Sequence, residues 1–264
     1  MTTLLTMKGF NKTVTPLCFT ANTANSTVQL TKTGSPTAVN LETSTDGATW
    51  ADYTISNTIT LSNIWDKVYF RNKSETPTGF SLVNNYYKFV MSWSVAASWD
   101  INYLLCKNST DTLTDAYCFY VLFNWCTSLT TPPKLRAMNL TSSCYYSMFK
   151  GCTALTTCPE LPATTIDTNC YREMFAQCSS LTAIPTLKAT TLLTNCYQRM
   201  FNQCTSIKLS TTQTWEYQTP YRIPATWTWT DGTDSLQYMF NSTWWTFTWT
   251  PSINTTYYTS NTLV

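Results

Sequence analysis

An α+β fold is expected for this chain, with a small N-terminal β-sandwich-like domain followed by a short solenoid of 26-residue repeats. Two observations carry that expectation. The first is one phrase in four copies: Cys118-FYVLFNW-Cys126, Cys144-YYSMFKG-Cys152, Cys170-YREMFAQ-Cys178 and Cys196-YQRMFNQ-Cys204. Their first cysteines fall at 118, 144, 170 and 196, a period of 26 residues without slippage, and a fixed period of about 20–50 residues marks repeats that stack on one another. The second is the front of the chain, where short alternating runs are separated by turn clusters and read as strands.

Residues 1–75 form the expected β domain, with strands at Cys18–Ala21, Thr27–Thr31, Ala38–Leu41, Thr58–Leu61 and Val68–Arg71. Asp46-Gly47 is the strongest hairpin signal, because that dipeptide suits a type I′ turn. Several short strands at this spacing suggest a small sandwich. Residues 76–117 read as irregular, an apolar run at Tyr87–Met91 leading to an N-terminal cap over the repeats. Residues 118–210 hold the repeats, and 211–264 an atypical last copy and C-terminal cap. That last copy is Ser235-LQYMFNS-Thr243, which starts 39 residues after the fourth phrase and so follows an insertion.

Each repeat is expected to contain a helix. In the third copy Asp167 fits an N-cap, and Cys170, Tyr171, Met174, Phe175 and Cys178 recur at i, i+1, i+4, i+5 and i+8 as one apolar stripe. The corresponding core residues elsewhere are Cys118 and Cys126; Cys144, Met148, Phe149 and Cys152; and Cys196, Met200, Phe201 and Cys204. The segment Ser180–Leu187 then reads as extended, with Pro185 suiting an edge or unladdered strand.

Composition limits the function classes. Apolar residues at 43% and aromatics at 15% against 11% charged residues argue for a packed core rather than disorder. A net charge of +2 with no basic run implies neither nucleic acid nor a membrane surface as a partner. No stretch approaches about 18 apolar residues, so no membrane insertion is expected. The first residues lack the pattern of a secretory signal, so the expected location is a virion or the extracellular space, reached by a route other than an ordinary signal peptide.

Eleven cysteines raise the question of disulfides or metal. A spacing of i, i+8 on a helix is about 12 Å along the axis, whereas bridged Cα atoms lie within about 7 Å, so the repeat pairs cannot bridge internally. Zinc sites favour C-x2–4-C and often use His, and the chain has no His. Cysteine as a small apolar core residue in register is the simpler reading, with disulfides between repeats as the alternative. No metal and no cofactor are expected.

The phrase M-F-x-x-C-x-x-L, at Met148-Phe149…Cys152…Leu155 and Met174-Phe175…Cys178…Leu181, resembles the core of BspA-like leucine-rich repeats, found in bacterial surface proteins and in phage-encoded proteins of gut communities. The flanks STDGATW…KVYFRN, WDINYLL and MFNSTWWTFTWTPSINTTYY are similar to that family as well. The resemblance implies a leucine-rich-repeat solenoid. It also implies recognition or adhesion, in a virion or appendage protein that meets the bacterial host. The alternatives are a cellular BspA-like surface adhesin and a purely structural virion decoration protein. Partners would be a protein or glycan on a bacterial surface, or other virion proteins, with oligomerisation left open.

Eleven Trp against six Gly inverts ordinary usage. Trp125 aligns by the repeat period with Gly151, Gln177 and Gln203, on a face expected to be exposed. The resemblance implies Gly at Trp65, Trp93, Trp99, Trp125, Trp215, Trp227, Trp229, Trp244, Trp245 and Trp249, and Trp only at Trp50. Three readings stand: UGA codons meant for glycine, structural Trp alternating with Thr, or an exposed aromatic platform that stacks on sugars.

No catalytic constellation is present in the sequence. Without His, the commonest general acid–base residue is missing and Ser-His-Asp arrangements are ruled out; the fourteen carboxylates are scattered. An enzyme is therefore not expected. What varies between repeats is a set of columns: Lys134, Glu160 and Thr186; Tyr146, Arg172 and Gln198; and Ser147, Glu173 and Arg199. These are either solvated faces or a candidate recognition surface.

Overall fold

The computed structural model describes residues 15–108, 110–243 and 250–264. It overturns the expected α+β solenoid. Among the described residues, strands and isolated bridges account for 29% and helix for 2%. The helical part is one 3-10 turn at Ile101–Leu104, and the strands lie in four separate sheets.

In chain order the strands are β1 (Leu17–Ala21), β2 (Ser26–Thr33), β3 (Leu41–Ser44), β4 (Ala51–Asp52), β5 (Thr58–Leu61), β6 (Lys67–Asn72), β7 (Tyr86–Ser92) and β8 (Val95–Ser98). Later come β9 (Leu129–Thr131), β10 (Ala183–Ile184), β11 (Leu209–Ser210), β12 (Thr219–Ile223), β13 (Thr255–Thr259) and β14 (Thr262–Leu263). The front of the chain builds a six-stranded sheet ordered β4-β3-β6-β1-β8-β9 and a three-stranded sheet ordered β5-β2-β7. Alternation aims one face of each inward: Val68 and Phe70 of β6 and Val28 and Leu30 of β2 are buried. The Phe19 ring of β1 meets Phe89 of β7 at 4.8 Å, edge to face, and Phe70 meets Phe89 at 5.4 Å.

Three local expectations also change. The strand expected at Ala38–Leu41 runs instead from Leu41 to Ser44. Asp46-Gly47 does not close a two-residue hairpin. Six residues separate β3 from β4, and the Asp46 carboxylate accepts N–H bonds from Ala48 and Thr49 at 2.8 and 2.7 Å, which hold its carboxyl well below the usual range. Residues 76–117 are not irregular throughout: Tyr87 and Phe89 alternate with Lys88 and Val90, so the apolar run is strand β7, and β8 and the 3-10 turn follow it.

The repeats contain no helix, and Asp167 caps none. Every fourth residue is left-handed, with φ between +52° and +76°: Tyr117, Val121 and Trp125; Ser143, Ser147 and Gly151; Asn169, Glu173 and Gln177; Asn195, Arg199 and Gln203; Asp234, Tyr238 and Ser242. A left-handed residue cannot continue an α-helix. The backbone instead forms a ribbon of overlapping four-residue turns. Tyr120, Leu122, Asn124 and Cys126 donate N–H bonds three residues back, to Tyr117, Phe119, Val121 and Phe123. The residues between them donate to the next repeat: Phe119 to Cys144 at 2.9 Å, Val121 to Tyr146 at 3.1 Å and Phe123 to Met148 at 2.9 Å. Apolar residues at i, i+1, i+4, i+5 and i+8 follow a strict four-residue period, which this ribbon satisfies and an α-helix at 3.6 residues per turn matches only loosely.

Stacked in this way, all the expected repeat-core cysteines, methionines and phenylalanines are buried. Phe89, Phe123, Phe149, Phe175, Phe201 and Phe240 form one column with centroids 5.3–5.7 Å apart. Phe119, Tyr145, Tyr171 and Tyr197 form a second at 5.5–6.0 Å. The insertion before the last copy contains β12, which pairs with β13; β11, one period after β10, pairs with the other edge of β13. The last copy still stacks on the fourth through Tyr197 to Ser235 and Phe201 to Met239, each 2.9 Å. All eleven cysteines are buried and none is in a disulfide. Within the repeats their role is polar as well as apolar. Cys126, Cys152, Cys178 and Cys204 each donate S–H to a phenylalanine carbonyl 29 to 37 residues earlier, at 2.9–3.0 Å.

Candidate functional site

The turn ribbon and the extended segment of each repeat offer two distinct surfaces. On the ribbon, the period brings Tyr120, Tyr146, Arg172 and Gln198 into one row. Tyr86, Tyr117 and Tyr146 all meet Tyr120 edge to face at 5.4–5.7 Å, and the Arg172 guanidinium lies over the Tyr146 ring at 5.2 Å. This half-buried strip of four tyrosines ends on a cation. Gln198 does not belong to the surface: it is buried, and its amide donates to Gln237 at 2.7 Å.

The neighbouring column is also less open than expected. Ser147 and Glu173 are buried. Glu173 is engaged by Lys150 at 2.6 Å, so its carboxylate is committed to the fold. Arg199 is exposed and lies over Tyr238 at 5.6 Å.

The extended segments of the first two repeats enclose a groove of about 540 Å³. Its walls are Pro132, Pro133, Leu135, Met138, Cys158, Pro159 and Pro162, with Asp111, Lys134, Arg136 and Glu160 among them. The prolines keep this wall rigid, because each fixes φ and removes a donor. Arg136 is tied to buried Asp100 and to Asp111, each at 3.4 Å. Lys134 and Glu160 are exposed and form no ion pair with another described residue; the Lys134 ammonium lies 5.3 Å from the Trp99 ring. The groove therefore offers an apolar floor with one uncommitted cation and one uncommitted anion. Thr186, third in that column, is outside the groove: its N–H donates to Val264 at 2.7 Å, under the C-terminal strand.

The titratable side chains of the groove are Asp111, Lys134, Arg136, Cys158 and Glu160. Cys158 is its one thiol, and burial pushes it up to about 12, so it stays protonated at neutral pH and is a poor nucleophile. Among the described residues no group of three or more His, Cys, Asp or Glu side chains is placed to hold a metal ion. No described helix is long and apolar enough to cross a membrane.

Of the candidates read from the sequence, the structure places Lys134 and Glu160 on the groove and Tyr146 and Arg172 on the tyrosine strip; Tyr86, Tyr117, Tyr120, Arg136, Met138 and the proline wall were not among them. Tyr120 was within reach, since it stands one period before Tyr146. The Pro132-Pro133 and Pro159…Pro162 runs, near one period apart, were a similar signal. Tyr86 was not, because strand β7 joins the site only through tertiary pairing. Comparison with protein-family models, with curated proteins and with solved structures finds no match.

Proposed function

We propose that this chain is a non-enzymatic recognition protein of a phage virion or appendage, which presents its repeat surface to a protein or glycan on the bacterial host. The observation that carries the reading is the groove, where Lys134 and Glu160 stand uncommitted on a rigid proline wall. A pre-formed, largely apolar cleft with a few convergent polar groups suits binding at low ordering cost. Eleven buried cysteines, none in a disulfide, suit a protein that folds in a reducing cytoplasm and leaves on an assembled particle. The phrase-level resemblance to BspA-like proteins points the same way.

The test is adsorption of the purified, fluorescently labelled chain to bacterial cells from the source community, compared with the Lys134→Glu plus Glu160→Lys double variant. Both side chains are exposed, so circular dichroism should show the variant folded. Cell binding is expected to fall about tenfold. Unchanged adsorption by a folded variant removes the groove from the binding surface. Proteomics of purified particles checks the virion assignment, and detection only in bacterial envelope fractions would favour the adhesin instead.

A further inference from the structure

Four tryptophans stand where the backbone is left-handed, the region that glycine adopts without strain. Trp65, Trp93, Trp99 and Trp125 have φ of +71°, +62°, +64° and +59°. Only a few per cent of non-glycine residues adopt this region, mostly Asn and Asp, and a bulky residue there is an outlier. Trp244, Trp245 and Trp249 lie outside the described residues; of the seven other tryptophans besides Trp50, four are left-handed. All seven are exposed, from 43% to 88%, so burial of the indole does not offset the backbone cost.

The repeats supply an internal comparison for one of the four. Trp125, Gly151, Gln177, Gln203 and Ser242 occupy one column, and all are left-handed. The ribbon imposes that conformation whatever residue stands there, and glycine adopts it without penalty. The Trp125 ring lies over Gly151, where a Cβ would come within 2.5 Å of its Cε3 atom, yet the indole is still 52% exposed. Trp50 is the contrasting case. It is not left-handed, and the Arg71 guanidinium stacks on its ring at 3.8 Å. Glycine itself is scarce, at 6 residues in 264, where average usage is about 7%.

We infer that the native chain carries glycine at positions 65, 93, 99 and 125, its source reading as glycine the codon UGA, one base from GGA. The indoles at these four positions are then no sugar-stacking platform, and Lys134 stands free of any ring at position 99. A chain produced with tryptophan at these positions acquires an artificial aromatic surface, which matters for any adhesion assay.

Two measurements test this. Peptide sequencing by mass spectrometry of the protein isolated from its natural source is expected to read glycine at all four positions; tryptophan at them overturns the inference. Separately, Trp65→Gly, Trp93→Gly, Trp99→Gly and Trp125→Gly are each expected to raise the unfolding midpoint of the recombinant chain, by about 2–4 °C per position. Trp50→Gly is expected to lower it. Midpoints that stay level or fall across the four substitutions would count against glycine sites.

Discussion

The repeat cysteines illustrate how a single residue type can be required for more than size. Cys152, Cys178 and Cys204 fill core positions and also donate S–H to carbonyls of the preceding repeat. Cys178→Ala removes that donor and leaves a small void, so a loss of about 1–2 kcal/mol is expected in urea denaturation. Burial holds Cys126, Cys158, Cys178 and Cys196 at about 12. The folded chain should resist thiol-labelling reagents at pH 8 and react fully only in denaturant. The linkage has a definite sign. These thiols keep their protons more tightly when folded, so their contribution is complete below the unfolded value of about 8.5 and is lost as pH rises towards 12. Circular dichroism against pH should therefore show destabilisation beginning above about pH 9, and a melting midpoint constant up to pH 12 would contradict it.

At the scale of the element, the turn ribbon explains both the failed helix expectation and the residues that alternate with the core. Its first left-handed column holds Tyr117, Ser143, Asn169, Asn195 and Asp234, and Asn and Asp enter this region more readily than other non-glycine residues. Asn195→Val should cost about 1–2 kcal/mol, while Asn195→Gly should be close to neutral. Equal losses for the two in thermal melts would show that the backbone conformation is not what the position selects. The phenylalanine column makes a stronger demand. Phe175 is stacked on both sides, by Phe149 at 5.6 Å and Phe201 at 5.7 Å, so Phe175→Ala should cost about 3–5 kcal/mol. Phe240 continues the column on Phe201 at 5.3 Å.

At the scale of the molecule, the front sheets and the repeats share one core. Phe89 of β7 stacks on Phe123 at 5.3 Å, donates its N–H to Leu122 and accepts from the Cys126 thiol. Strand β9 of the first repeat completes the six-stranded sheet beside β8. At the other end β14 pairs in parallel with β10, tying the C-terminus back to the third repeat. The expected outcome is a single cooperative unfolding transition, with near-ultraviolet and far-ultraviolet dichroism coinciding. Two separated transitions would mean that the front sheets and the repeats fold independently.

The sequence by itself determined the period, the buried set and the contrast between constant and variable columns, because these depend only on which side chains recur every 26 residues. It also placed four of the front strands, since two-residue alternation is a local property. Whether the apolar stripe became a helix or a ribbon of turns was decided by the tertiary structure. The two share nearly the same apolar spacing, and it is the hydrogen bonds to the next repeat that hold every fourth residue left-handed. The same bonds buried Glu173 and Gln198, which looked free along the chain. Lys134 and Glu160 stay outside ion pairs on the groove, where the neighbouring Arg136 and Asp111 are already paired with each other.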